Sequence, residues 1–232
     1  MPAGMREKLR IVCATRETPE RFFAETALGR SLAVYNFPRT EIRLHANNAR
    51  GLPSIYNEAI AEAAADPAVL VFVHDDIHLC DFYWGSHVFN ALQSFEVVGL
   101  AGNRRRVPRQ PAWAFVDDRF TWDAKENLSG IVGHGKGFPP QNLSVFGPPG
   151  QAVKLLDGLL LAVRSQTLIS RNIRFDERFA FHFYDLDFCR QCEQQGVRMG
   201  TWSISVVHES AGNFSSPAWK AGYERYLAKW GD

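Results

Sequence analysis

Long hydrophobic runs are missing from this chain: no apolar stretch approaches the ~18 residues needed to cross a bilayer. No transmembrane segment is expected. One-sided charge is missing too, with Lys plus Arg at 26 against 25 Asp plus Glu. No overall field therefore draws the chain to nucleic acid. Cysteine is scarce, at positions 13, 80, 189 and 192. A chain of this length needs no covalent staples, and no secretory leader is read at its start. Cys189 and Cys192 have CxxC spacing but fall inside the helical pattern DFCRQCEQQG, with no second pair, which favours core thiols over zinc or redox chemistry. Also absent are a GxSxG nucleophile elbow, a GxxxxGK[ST] phosphate loop, a GxGxxG fingerprint and an HExxH pair. There is no internal repeat. A cytoplasmic location is expected, with a peripheral station at the inner face of a membrane left open.

What remains is an ordinary soluble composition of 232 residues, 46% hydrophobic and 22% charged, enough for one domain (1–232) with a sizeable core. LRIVCAT (9–15) reads as a strand, PERFFAETALG (19–29) as a helix ended by Gly29, and IRLHANN (42–48) as a strand. SIYNEAIAEAAADP (54–67) reads as a helix with a weak Ser54–Asn57 cap, followed by VLVFVHDD (69–76) as a central parallel strand. This alternation predicts an α/β layer fold. VVGLAG (97–102) is a further strand. Residues 103–150 are expected to be an irregular, acceptor-side loop region, rich in Arg, Pro, Gly and aromatics. KLLDGLLLAVR (154–164) reads as one buried strand, the segment ending at Gly196 as a helix, and VRMGTWSISVVH (197–208) as one last strand. The basic run RRRVPR (104–109) is either a solvated loop or an anion contact.

Chemistry concentrates where VFVHDDIHL turns from apolar to polar, since ligands of parallel α/β sheets sit beyond strand carboxyl ends. Strand alternation puts His74 and Asp76 on one side and Asp75 on the other. Asp76 beside a diphosphate would suit Mg2+ or Mn2+, and the alternative is a pair of aspartates accepting turn N–H groups. In FYDLDFCRQC, a helix starting near 185 puts Asp185 on the face of Phe188, Cys189 and Cys192. It puts Asp187 with Arg190, Gln191 and Gln194, facing solvent. Asp185 is then the carboxylate whose burial can raise its pKa toward that of a useful base, with a plain N-cap as the alternative. His208 gains weight as a ligand only if Asp76 holds a metal. Trp113, Phe115, Phe120, Trp122 and Phe138 suit either stacking on sugar faces or a small satellite core.

Taken in order, RIVCATR, LPSIYNEAI, VFVHDDIHL, LDGLLLAVR, FDERFAFHFYDLDFCRQCEQQG and VVHESAG resemble family-2-type glycosyltransferases of the GT-A fold, in a small glycosyltransferase-like branch with an HxD version of the DxD motif. The resemblance covers roughly residues 8–212. It implies a Rossmann-like, mostly parallel sheet flanked by helices, binding a nucleotide-diphosphate sugar with Mn2+ or Mg2+. It maps the metal motif onto His74, Asp75 and Asp76, the acidic pair onto Tyr184 and Asp185 (the base), and His208 onto a position that completes the metal shell. It also places Arg16 and Glu17 near the nucleobase or ribose. The implied reaction is metal-dependent transfer, with inversion, of a hexosyl or related group to a hydroxyl of a glycan, lipid-linked or small-molecule acceptor. Two rivals are weighed beside it. One is a non-catalytic nucleotide- or carbohydrate-binding module on the same fold. The other is nucleotidyl transfer, for which the first loop lacks a glycine-rich, basic triphosphate cradle.

Overall fold

The computed structural model describes residues 7–210, 212 and 214–231. The first half of the chain runs β1 (Leu9–Ala14), α1 (Pro19–Glu25), α2 (Ala27–Val34), β2 (Thr40–His45), α3 (Leu52–Glu62), β3 (Val69–Val73), β4 (Ile77–Leu79), α4 (Trp84–Ser94), β5 (Val97–Gly99) and β6 (Ala101–Asn103). The second half adds β7 (Leu128–His134), β8 (Asn142–Gly147), β9 (Ala152–Val153), β10 (Leu155–Leu156), β11 (Leu160–Arg164), α5 (Ser165–Ser170), α6 (Tyr184–Gln194), β12 (Met199–Thr201), β13 (Val206–His208) and α7 (Pro217–Trp230).

Two sheets result. The larger has the order β2-β1-β3-β11-β5-β12-β9, and the other runs β10-β6-β7-β13-β4 with β8 added against β7. β1 pairs parallel with β2 and β3, and β5 with β12. β11 is antiparallel to both β3 and β5, and β9 to β12, so β2, β1, β3, β5 and β12 run one way and the sheet is mostly parallel with two reversed strands. β3 is buried along its whole length, as its unbroken apolar run requires of a central strand. α3 packs on β1 and β3, α4 on β5 and β11, and α6 on β10. No helix among the described residues is long and apolar enough to cross a membrane.

Several expected elements divide where a local interaction interrupts them. The helix expected over 19–29 becomes α1 and α2, because Thr26 ends the first and caps the second, its hydroxyl accepting from Gly29 N–H at 3.1 Å. Gly29 lies inside α2, where a Cβ would meet the Phe22 carbonyl oxygen at 2.0 Å. α3 begins at Leu52 with no side-chain cap. Asn57 instead reaches the backbone of Phe175, donating to its carbonyl and accepting from its N–H, at 2.9 Å each. The last strand splits into β12 and β13, one in each sheet. The 154–164 run splits at Asp157-Gly158-Leu159 into β10 and β11. Residues 103–150 are not irregular throughout, for β7 and β8 form an antiparallel hairpin there, bulged at Gly130 and Ile131. Gly130, with φ 116°, takes a conformation only glycine adopts easily, which hides the strand from pattern reading.

The basic run 104–109 is tied down within the chain: Arg105 pairs with buried Asp123, and Arg106 with Glu193. Cys13, Cys189 and Cys192 are buried free thiols, as expected of core residues.

Candidate active site

Beyond the end of β3 lies a cavity of about 1030 Å3, lined by His74, Asp76, His134, Asp157, Asp185 and His208 among others. Each arrives for an identifiable reason. β13 pairs antiparallel with β4, setting His208 opposite Ile77, and Glu209 N–H donates to the Asp76 carbonyl at 2.9 Å. That register brings His208 Nε2 to 3.3 Å from Asp76 Oδ2, which also accepts from Ser210 Oγ at 2.6 Å. Burial works to raise the pKa of Asp76. His208, His74 and Ser210 outweigh it and hold the group at about 2, so it is an anion at any physiological pH.

Asp185 sits in the first turn of α6. The helix is capped not by Asp185 but by Phe183, which lies in the left-handed region (φ 69°) with no side-chain cap bond. Aromatic packing holds that turn: Phe183 is buried, its ring stacked on Tyr223 at 5.7 Å. The N–H of Gly158, at the break between β10 and β11, donates to Asp185 Oδ2 at 3.1 Å. The Gly158 carbonyl accepts from Tyr184 Oη at 2.9 Å, and Tyr184 Oη lies 2.8 Å from His74 Nε2. Gly158 is thus gripped on both sides, and a Cβ there would stand 2.3 Å from Tyr184 Oη. Burial first, then the nearby Asp157 carboxylate, push the pKa of Asp185 up to about 7.

Other assignments divide. Asp75 is half-buried and away from the cavity lining. Burial raises its pKa, and a hydrogen bond from Thr15 opposes the shift. Arg16 is exposed after β1, and Glu17 pairs with Arg21 at 2.8 Å; neither lines the cavity. Asp187 is not solvent-facing. It is fully buried, accepting from Trp230 Nε1 at 2.9 Å and paired with Lys229 at 2.5 Å, because α7 covers that face of α6. The aromatics of the 103–124 loop build a cluster and a cavity wall at once. Trp113 and Phe115 are buried, whereas Trp122 is open.

Two cavity residues escaped sequence reasoning. Asp157 interrupts an apolar run, accepts from Trp113 Nε1 at 2.6 Å and from Leu159 N–H at 3.1 Å, and has its pKa raised by burial. An Asp-Gly inside LLDGLLL is a turn signal that marks the break. His134 ends β7 beside His208, ring centroids 6.1 Å apart. Its glycine-rich surroundings carry no signal of that placement.

Asp76 Oδ1 is buried with no hydrogen-bond partner, an orphan that a cation would satisfy. The carboxylate is a hard donor of the kind Mg2+ and Mn2+ take, and the imidazole beside it is a second donor, through nitrogen or through water. Among the described residues no group of three or more His, Cys, Asp or Glu could hold a metal by itself. Asp76 and His208 therefore fit a cation that shares its shell with donor phosphates, the usual arrangement for Mg2+ and its analogues.

This fold is that of the GT-A glycosyltransferases. The chain is similar to S. aureus TarS 1-349, solved in complex with UDP, at a TM-score of 0.53 and 13% identity over 96% of this chain and 64% of that one. It is similar to GalNAc-T7, solved with UDP, GalNAc and Mn2+, at 0.53 and 11% over 97% of this chain and 48% of that one. The catalytic domain of Drosophila β1,4-galactosyltransferase 7, in complex with xylobiose, gives 0.50 and 11% over 94% and 79%. The chain thus spans less than two thirds of the TarS and GalNAc-T7 chains. Residues 41–209 match the model of a family described as "Glycosyltransferase like family", of family-2 type, and the chain belongs to that family. No curated protein matches its sequence.

Proposed function

We propose that this chain, as one domain, is a cytoplasmic, metal-dependent glycosyltransferase that moves a hexosyl or related group, with inversion, from a nucleotide-diphosphate sugar to an acceptor hydroxyl. The observation that carries the reading is Asp185: a carboxylate on the wall of a large cavity, tuned to about 7 and oriented by the Gly158 N–H. A base of that pKa is half-ionised near neutrality and takes a hydroxyl proton efficiently. As the acceptor oxygen attacks the anomeric carbon, Asp185 receives its proton, and the bond to the donor diphosphate breaks on the opposite side. Asp76 and His208 would hold the cation, which when bound neutralises charge on the departing nucleoside diphosphate. Arg16, Glu17 and Asp75, at the ends of β1 and β3, remain assigned to the nucleotide side of the donor. Asp157 is engaged on both oxygens by Trp113 and Leu159, which argues against a covalent route through it.

UDP is the nucleotide to try first, since the TarS and GalNAc-T7 structures contain it. The test is release of UDP from UDP-sugars with Mn2+, comparing wild type with Asp185→Asn; equal turnover by the two sinks the base assignment. His74 in place of the first aspartate of DxD, with no three-ligand cluster among the described residues, favours a non-catalytic nucleotide-binding module as the second reading. Mn2+-dependent binding of UDP without transfer or donor hydrolysis would select it.

A further inference from the structure

The outer part of the cavity holds open aromatic surface that donor chemistry does not explain. Trp122 is 55% exposed and Phe214 43% exposed, and both line the cavity. They are held firmly. Trp122 stacks on Phe146 at 5.9 Å and 23° and meets the edge of Phe115 at 4.9 Å; Phe214 packs on Phe115 and Phe120 at 5.4 Å each. Large rings left open in a concavity, with their positions fixed, are a preformed surface for something with an apolar face.

Charge narrows the occupant. Asp76, Asp157, Asp185 and Glu209 line the cavity, and among the described lining residues there is no Lys or Arg. Glu209 is paired with Arg30, but a phosphate or uronate in the acceptor would still face the other carboxylates with only histidines, and no Arg or Lys, on the lining to receive it, whereas anionic ligands are ordinarily met by Arg or Lys. The cation at Asp76 would serve the donor diphosphate, not the aromatic end. Neutral hydrogen-bonding groups are present instead: Gln141, Asn142 and Ser144, on and just before β8.

We propose that the acceptor is a neutral saccharide, seated with the C–H face of one ring against Trp122 and its hydroxyls toward β8. This rests on reading the site as a glycosyltransferase. The acceptor oxygen bonds to the anomeric carbon of the donor sugar. Its proton goes to Asp185, and the electron pair of the cleaved bond leaves on the nucleoside diphosphate.

The experiment uses the full chain with UDP-glucose, UDP-galactose and UDP-N-acetylglucosamine plus Mn2+. Donor binding is read first by thermal shift. UDP release and product mass are then read with cellobiose and lactose, with a glucuronic-acid disaccharide, with glucose 1-phosphate and with a short polyprenyl phosphate. The expected result is that a neutral disaccharide accelerates release above donor hydrolysis, and that Trp122→Ala raises its KM about tenfold, the size of a lost stacking contact. Trp122 is open enough that this variant should fold. Donor binding with faster release on an anionic acceptor, or with no acceleration by a neutral one, overturns the acceptor assignment alone. An unchanged KM in Trp122→Ala overturns the seat at that ring. If no UDP-sugar binds, the glycosyltransferase reading fails and the acceptor assignment falls with it.

Discussion

Replacing Asp185 by Asn is expected to cut turnover sharply and, at alkaline pH, to stabilise the fold. The folded-state pKa of this carboxylate stands near 7, raised from 3.8 by burial and by Asp157. The native state therefore holds a proton that the unfolded state has already lost between those two values. Stability contributed by the protonated form is present below about 4 and is lost as pH rises to 7. From pH 5 to pH 7 the loss spans two units, about 2.7 kcal/mol before screening. The group opens partly onto the cavity, where water screens it, so about 1–3 kcal/mol is the working range. Asparagine never ionises and escapes this loss. It forfeits one of the two acceptor bonds, to Gly158 and Leu186, at a cost near 1 kcal/mol that does not vary with pH. The gap in melting temperature, variant minus wild type, should widen by about 5 °C between pH 5 and pH 8. Activity should fall by about 10²–10⁴. Calorimetry at the two pH values is the assay, and a gap that stays constant or narrows refutes the argument.

Other perturbations separate the remaining roles. In wild type, kcat/KM should rise about tenfold per pH unit below 7 and level off above it, as the base loses its proton; a flat profile from pH 5 to 8 would contradict the assignment. Gly158→Ala should lower kcat more than a hundredfold, because its Cβ meets Tyr184 Oη at 2.3 Å and Asp185 Cβ at 3.1 Å, displacing the base. Single-turnover kinetics on the folded variant would show it. Asp187→Ala should cost about 1–3 kcal/mol in urea unfolding, since it leaves the Trp230 N–H and the Gln191 amide without their acceptor while Lys229 keeps Asp176, and no measurable cost would mean these bonds are dispensable. Asp76→Asn should abolish Mn2+ binding measured by electron paramagnetic resonance with UDP present, while Ser210→Ala, which removes a hydroxyl touching Asp76 and His208 but no metal donor, should retain most of it.

The central layer was legible because its physics is local. An unbroken apolar run such as VLVFV can be satisfied only between two strands, and β3 lies between β1 and β11. The strand end at His74–Asp76 followed from the same run. What escaped depends on partners far along the chain. Helix phase separates the Asp185 face from the Asp187 face correctly but says nothing of what covers either, and α7, arriving from residue 217 onward, buries the second. β7 was hidden by glycines that its bulge and close strand contacts require, and the break at Asp157-Gly158 by the leucines on either side of it.

Two of the positions that the resemblance maps onto acidic motifs touch each other: His74, of the HxD stretch, and Tyr184, before Asp185, meet at 2.8 Å. Tyr184 has one hydroxyl proton, and the Gly158 carbonyl at 2.9 Å takes it. With that proton directed at the Gly158 carbonyl, the His74–Tyr184 contact takes its proton from the tautomer of His74 protonated on Nε2. An aspartate at 74, ionised at neutral pH, has no proton to give. It would compete for the tyrosine's own proton and loosen Gly158, whose N–H orients Asp185. Histidine at 74 and tyrosine at 184 therefore make sense as a pair: they hold each other and the Gly158 carbonyl, and the Gly158 N–H holds the proposed base, Asp185.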